Sequence, residues 1–227
     1  MSKMKTTAYA NNVNVELIPG SRCIAVTVDD TGVAANSEGK KIVPAGTIVG
    51  GNVFADPANK VADANNPAKG DLESTGTNND ITVTNLTGSV IKVQLVDPAG
   101  NNKTLGLDLT TDTIKVMLAT GGTGAITSTA ADVIALLNAN PITKAILVAA
   151  NKGTDTGESV VTAVAAVTID GSAVKYPEGV LLNDVDVTYG PKSGAMIVSG
   201  IVDLAKLTAA PSALARKALA GRIVFAN

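Results

Sequence analysis

The chain has 227 residues, 45% of them hydrophobic but only 2% aromatic, and its 18 basic and 20 acidic side chains leave a net charge of −2. A core is affordable in length and composition, and must be filled by Val, Ile, Leu and Ala rather than by rings. The balance of charge excludes a basic footprint for nucleic acid or an anionic membrane surface. There is no histidine, which removes Ser-His-Asp and Cys-His nucleophile systems, His-bearing zinc sites and the usual general base, so no catalytic centre and no cofactor are expected. No apolar run reaches the roughly 18 residues of a membrane span. Lys3 and Lys5 are not followed by an apolar stretch, so no signal peptide is expected. The single cysteine, Cys23, excludes an intramolecular disulfide framework and points to synthesis in a reducing cytoplasm.

Residues 1–20 are polar and read as an N-terminal arm. Tyr9, Val13 and Val15 share one parity, so the arm can add to a sheet edge. The first firm strand is "RCIAVTV", residues 22–28. It puts Ile24, Val26 and Val28 on one face and Cys23, Ala25 and Thr27 on the other; Cys23 is expected as a buried, inert thiol. "DDTG" then turns the chain. In "KKIVPAGTIVGG", residues 40–51, Pro44 removes a ladder donor, so the strand is an edge or is broken there. Residues 56–80 are rich in Asn, Asp, Gly and Pro and read as a linker.

Residues 81–171 carry a complete pattern of their own. "ITVTN", "SVIKVQLVD", "KTLGLDLT" and "DTIKVMLAT" alternate as strands, with Leu105, Leu107 and Leu109 on one face of the third. The period then turns helical in "TSTAADVIALLNANP", where Ala130, Val133, Ile134 and Leu137 share a face, Thr129 and Asp132 form a capping box and Pro141 marks the end. "KAILVAA" and "ESVVTAVAAVTI" read as two further strands, completing an α+β module. The "GGTG" ahead of the helix lacks the Gly-Lys-Ser/Thr of a phosphate-binding loop and reads as a connection.

Beyond residue 171 the chain returns to β character. Residues 180–189 are expected as a strand, 190–194 as a turn and 195–202 as the hairpin partner. "PSALARKALA" is a short helix with Leu214, Ala218 and Leu219 inward and Gly221 past its end, and "RIVFA" is the last strand. Asn183, Asp184 and Asp186 bring three hard oxygens within four residues, which a cation could use. Alternation turns the two aspartates away from Val185 and Val187, which favours a solvated or interface face, and no metal site is assigned.

"VPAGTIVGG" (residues 43–51), "EGVLLNDVDVTYG" (178–190), "AMIVSGIVDLAKL" (195–207) and a closing helix with "GRIVFAN" (221–227) occur in an order that resembles tailed-phage head decoration proteins. The order is similar to the head fibre family of small podophages and, more distantly, to the head decoration protein of lambda-like phages. The departure is the module inserted between the "PAGT" edge and the "VLLNDVDVT" strand. The resemblance implies a mainly β fold: a small β-barrel or sandwich base domain, residues 21–55 plus 172–227, with a short C-terminal helix, interrupted by an inserted α+β module.

It further implies a virion protein on the outer surface of the capsid that decorates or stabilises the head, a homotrimer whose partner is the major capsid protein. Thr6, Thr7, Tyr9, Val13 and Val15 of the arm are the expected capsid contacts. Pro44, Gly46, Asp184, Asp186, Met196 and Val198 are the expected subunit-interface and scaffold positions. An extended arm of about 15 residues reaches some 50 Å, and strand addition supplies affinity through main-chain bonds. The alternative is a host-surface recognition module acting through the insertion; the shortage of Trp and Tyr argues against glycan stacking.

Overall fold

The computed structural model describes residues 15–17, 20–172 and 174–227. In chain order the strands are β1 (Arg22–Val28), β2 (Ile42–Val43), β3 (Ile48–Gly50), β4 (Lys60–Asp63), β5 (Lys69–Leu72), β6 (Ile81–Asn85), β7 (Val90–Val96), β8 (Gly106–Leu109) and β9 (Ile114–Met117). Helices α1 (Ala130–Ala139) and α2 (Pro141–Ile146) follow, then β10 (Leu147–Asn151), β11 (Val164–Asp170), β12 (Gly179–Leu181), β13 (Val185–Asp186), β14 (Lys192–Asp203), helix α3 (Ala213–Leu219) and β15 (Ile223–Ala226). Strand is 38% and helix 12% of the chain, which makes it mainly β with a short C-terminal helix. Contacts divide it into two units: Met1–Asn65 with Lys175–Pro211 and Ala218–Asn227, and Asn66–Val174 with Ser212–Lys217.

The first unit is a closed barrel. Its strands run β1-β4-β3-β12-β14, and β14 pairs back onto β1, so the hydrogen-bonded ring has five members and no free edge within it. The β1–β4 pair is parallel; the other four are antiparallel. Val26, Val28, Val49, Val61, Leu181 and Met196 fill the interior, so the aliphatic residues that the composition offers do pack the centre. β14 is 12 residues long and serves two ladders. Its first part lies on β1, with Ile24 opposite Met196; its last four residues pair in parallel with β15. The register slips where Arg22 faces Ser199 but Cys23 faces Ile197, leaving Val198 as a bulge that turns β14 from one ladder to the other.

The second unit has a three-stranded sheet, β10-β6-β5, and a four-stranded sheet, β11-β7-β9-β8. Ile81 and Val83 of one sheet and Val93, Leu95 and Val116 of the other share a core with Val133 and Leu137 of α1. α1 begins as the sequence predicts: the Thr129 hydroxyl accepts from the Asp132 N–H and the Asp132 carboxylate accepts from the Thr129 N–H. Lys217, at the end of this unit's C-terminal piece, donates to the carbonyl oxygens of Leu86 (3.1 Å) and Ala145.

Several expectations are corrected. Residues 56–80 are not a bare linker: β4 completes the barrel ring, β5 belongs to the second unit, and the division falls after Asn65. Short strands rich in Asp, Lys and Gly carry no alternation strong enough to read. The expected strand over 180–189 is two, β12 and β13, separated where Leu182–Asp184 peel off to meet the Pro44 corner; the turn lies at Thr188–Gly190, and β14 already begins at Lys192. Pro141 ends α1 and also opens α2, because its fixed φ and missing N–H suit a first helical position. Cys23 is exposed, not buried, since only the Ile24–Val26–Val28 face of β1 looks into the barrel; partial burial and nearby Glu16 raise its thiol pKa above the ordinary 9.0. In the third strand Leu109 is exposed. In α3 Ala215 is buried with Leu214 and Leu219, and Ala218 only half so. Ser212–Lys217 group with the second unit rather than with the barrel.

Candidate assembly surface

The far end of β14 is where the N-terminal segment is tied down. Leu17 N–H donates to Ile201 O at 3.0 Å, and Asp203 N–H donates to Val15 O at 3.0 Å, an antiparallel pairing centred on Glu16 and Val202. Val15 is 0% exposed. Its side chain is enclosed and its main chain pairs with β14 of its own barrel unit, so it is not free to be the expected capsid contact. Thr6, Thr7, Tyr9 and Val13 lie outside the described residues. On the other side of the same stretch of β14 runs β15, from which Val224 projects 57% exposed.

The "PAGT" corner is built by side-chain oxygens standing in for ladder partners. Asp184 accepts from Ala45 N–H at 2.7 Å, and the Thr47 hydroxyl donates to Pro44 O at 2.7 Å. Gly46 N–H donates to Leu181 O at 2.8 Å. Gly46 is required here: its φ is +82°, and a Cβ would lie 2.3 Å from the Lys206 carbonyl oxygen. β2 and β13 pair beside this corner, and Lys41 N–H donates to the Thr188 hydroxyl at 3.0 Å. Asp186 accepts from Thr188 N–H at 2.9 Å; hydrogen bonds from the Thr188 side chain and main chain, with lesser help from Lys40 and Lys192, hold its carboxyl below the ordinary 3.8. Asp184 and Asp186 thus act as turn and corner staples. Among the described residues no group of three or more acidic or Cys side chains is placed to hold a metal ion.

Of the expected interface positions, Pro44 and Asp186 are exposed, Asp184 and Val198 half-buried, and Gly46 and Met196 buried. Met196 is core, fully enclosed in the barrel, and cannot meet a neighbouring subunit.

Sequence reasoning missed Glu178. It is only 6% exposed, and its carboxylate accepts from the N–H groups of Gly51 (2.8 Å), Val53 (3.1 Å) and Phe54 (3.2 Å). Arg222 donates to the Glu178 carbonyl oxygen at 3.0 Å, and its guanidinium lies 5.2 Å from the centre of the Phe54 ring. This joint fastens the β3–β4 turn to the starts of β12 and β15. The available signal was the Gly50-Gly51 pair: main-chain N–H groups gathered at a tight turn need an acceptor, and Glu178 is the acid next to the "GVLL" strand.

At the barrel end a cleft of about 320 Å³ is lined by Asp29, Val33, Ile42, Val43, Pro44 and Asp63, among others. Tyr189, at the neck of β14, is 93% exposed. No helix among the described residues is long and apolar enough to cross a membrane. A scan against protein-family models found no match, and searches of curated proteins and of solved structures found none either.

Proposed function

We propose that the chain is a head decoration protein of a tailed phage, a homo-oligomer whose barrel unit binds the outer surface of the assembled capsid and whose second unit is an added module. One observation supports this reading above the others. Of the stretches that carry the resemblance, residues 43–51 lie more than a hundred positions ahead of 178–190, 195–207 and 221–227, yet β3, β12, β14 and β15 are consecutive neighbours in one sheet. The motif order thus maps onto adjacent strands of one wall, the wall that ends at β15, which supports the reading. Many equivalent sites on a capsid lattice turn modest contacts into stable attachment when the ligand is oligomeric.

The test is co-sedimentation of the purified chain with empty heads of the encoding phage. Binding that saturates at a fixed ratio to capsid protein is expected, and removing residues 2–13, which leaves Val15 and its pairing in place, should weaken it at unchanged thermal stability. Absence of binding to heads, with binding of the full chain to host cells, would replace this reading with host-surface recognition. Mass measurement in solution checks the trimer.

A further inference from the structure

We propose that the outer edge of β15 is the seat for the N-terminal arm of a second copy of this chain, which adds to the sheet as a further strand. β15 ends the barrel wall, and among the described residues its one ladder partner is β14. Gly200 lies opposite Ile223, and its N–H donates to Arg222 O at 3.0 Å. Alternation along a parallel ladder then turns the main chain of Val224 toward β14 and the N–H and C=O groups of Ile223 and Phe225 outward. Edge strands are commonly guarded by a charge, a proline or a bulge. Ile223–Ala226, "IVFA", has no charge and no proline, and its register to β14 is unbroken. The face beside this edge is apolar too. Leu17, Ile201 and Val224 lie side by side on adjacent strands, with Leu17 and Val224 exposed. Phe54, also exposed, lies against the Arg222 guanidinium just ahead of the strand.

The occupant follows from where residues 1–14 join the fold. Residues 15–17 run antiparallel to β14 on its other side, with Val15 at Asp203, so the chain enters this pairing from beyond the end of β14. At that end β14 runs straight into the turn Leu204–Lys206, and the way to β15 of the same copy leads around this turn and past two strands. The edge of a neighbouring copy asks for no such reversal, and 14 extended residues reach about 45 Å. Residues 6–13, "TTAYANNV", carry no charge, and Tyr9 and Val13 share a parity. One side of the added strand can therefore lie on Val224, an aromatic or β-branched side chain against a β-branched neighbour. Arm and edge are different surfaces, so the contact is head-to-tail and closes into a ring. A seated arm is itself the new edge, with its outer side open to a capsid strand. The assignment concerns how copies join and does not depend on what the ring binds.

The experiment measures the mass of the full chain by sedimentation across concentrations, beside Val224→Lys and a deletion of residues 2–13, each checked for unchanged amide shifts in the barrel core. A closed oligomer is expected for the parent. The deletion should leave monomers, and Val224→Lys should weaken association about tenfold. Disulfide trapping in a Cys23→Ser background reads the place of contact. One sample carries Tyr9→Cys or Val13→Cys and a second, isotopically labelled, carries Val224→Cys. Oxidation of the mixture should join a labelled chain to an unlabelled one, and Tyr189→Cys in place of Val224→Cys should give no such product. A monomeric parent, an oligomer that survives both changes, or trapping at Tyr189 as readily as at Val224 would overturn the proposal. A bond that forms within single monomers carrying both Tyr9→Cys and Val224→Cys would overturn it as well. Arm exchange between copies that do not co-sediment with heads would count against the capsid reading alone; saturating head binding by a chain that stays monomeric would count against arm exchange alone.

Discussion

Glu178 shows how much of a small barrel's stability can rest on one carboxylate. Its carboxylate takes three main-chain donors, so an amide in its place would lose the charge and set N–H against N–H. Glu178→Gln is expected to lower stability by about 2 kcal/mol, read as a shift of the urea midpoint for barrel amides, with little change in the second unit. Asp132 offers a pH test. The Thr129 main-chain N–H, then its hydroxyl, hold this carboxyl below the ordinary 3.8. A lowered folded-state value means that the stabilisation is present above the unfolded value and is lost as pH falls through the lowered one. The site is exposed, so Asp132→Asn should cost only a few tenths of a kcal/mol near neutral pH, and the difference from the parent should vanish in strong acid when melting is compared across pH. The capping pair was legible because both partners lie within one turn. Glu178 was not, because its donors are more than a hundred positions away.

At the scale of elements, the strands with clean alternation were readable: β1, β6, β7 and β9 fall where their apolar parity puts them, each against one covered face. The failures share a cause. β4 and β5 are four residues each and dominated by Lys, Asp and Gly, so pairing, not pattern, makes them strands. The split of β12 from β13 is decided by Asp184 reaching Ala45 across the fold, which no local window contains. Residues 1–20 read as an arm able to add to a sheet edge; residues 15–17 do so on the chain's own β14. Deleting residues 2–17 should therefore cost about 2 kcal/mol more stability than deleting 2–13, the value of burying Val15, as measured by chemical denaturation of the two truncations.

The whole molecule keeps two separate apolar cores, one in the barrel and one between the sheets and α1. Leu137→Ala should cost about 3 kcal/mol and reduce hydrogen-exchange protection across β6, β7 and β9 while barrel amides keep theirs. The insertion of so many residues between β4 and β12 is tolerable for a visible reason. Its first and last strands touch: a Cβ on Gly70 of β5 would lie 2.6 Å from a side-chain carbon of Ile169 in β11, and the chain enters and leaves the unit at nearly one place.

That ring of five strands also dictates an order of events during synthesis. β1, β3 and β4 leave the ribosome early, but the two members that complete the circle, β12 and β14, emerge only after residues 66–174, all of the second unit save its Ser212–Lys217 piece. Until then the early strands are a fragment with bare main-chain edges, and the two sheets and α1 of the second unit are the first part able to pack. Once folded, it brings Gly70 and Ile169 together and replaces a long, entropically costly loop with a short one. Pulse-labelling during refolding should find β6, β7 and β9 protected before β1 and β14. Variants that unfold the second unit should slow barrel closure and raise aggregation during translation, although they alter no barrel residue.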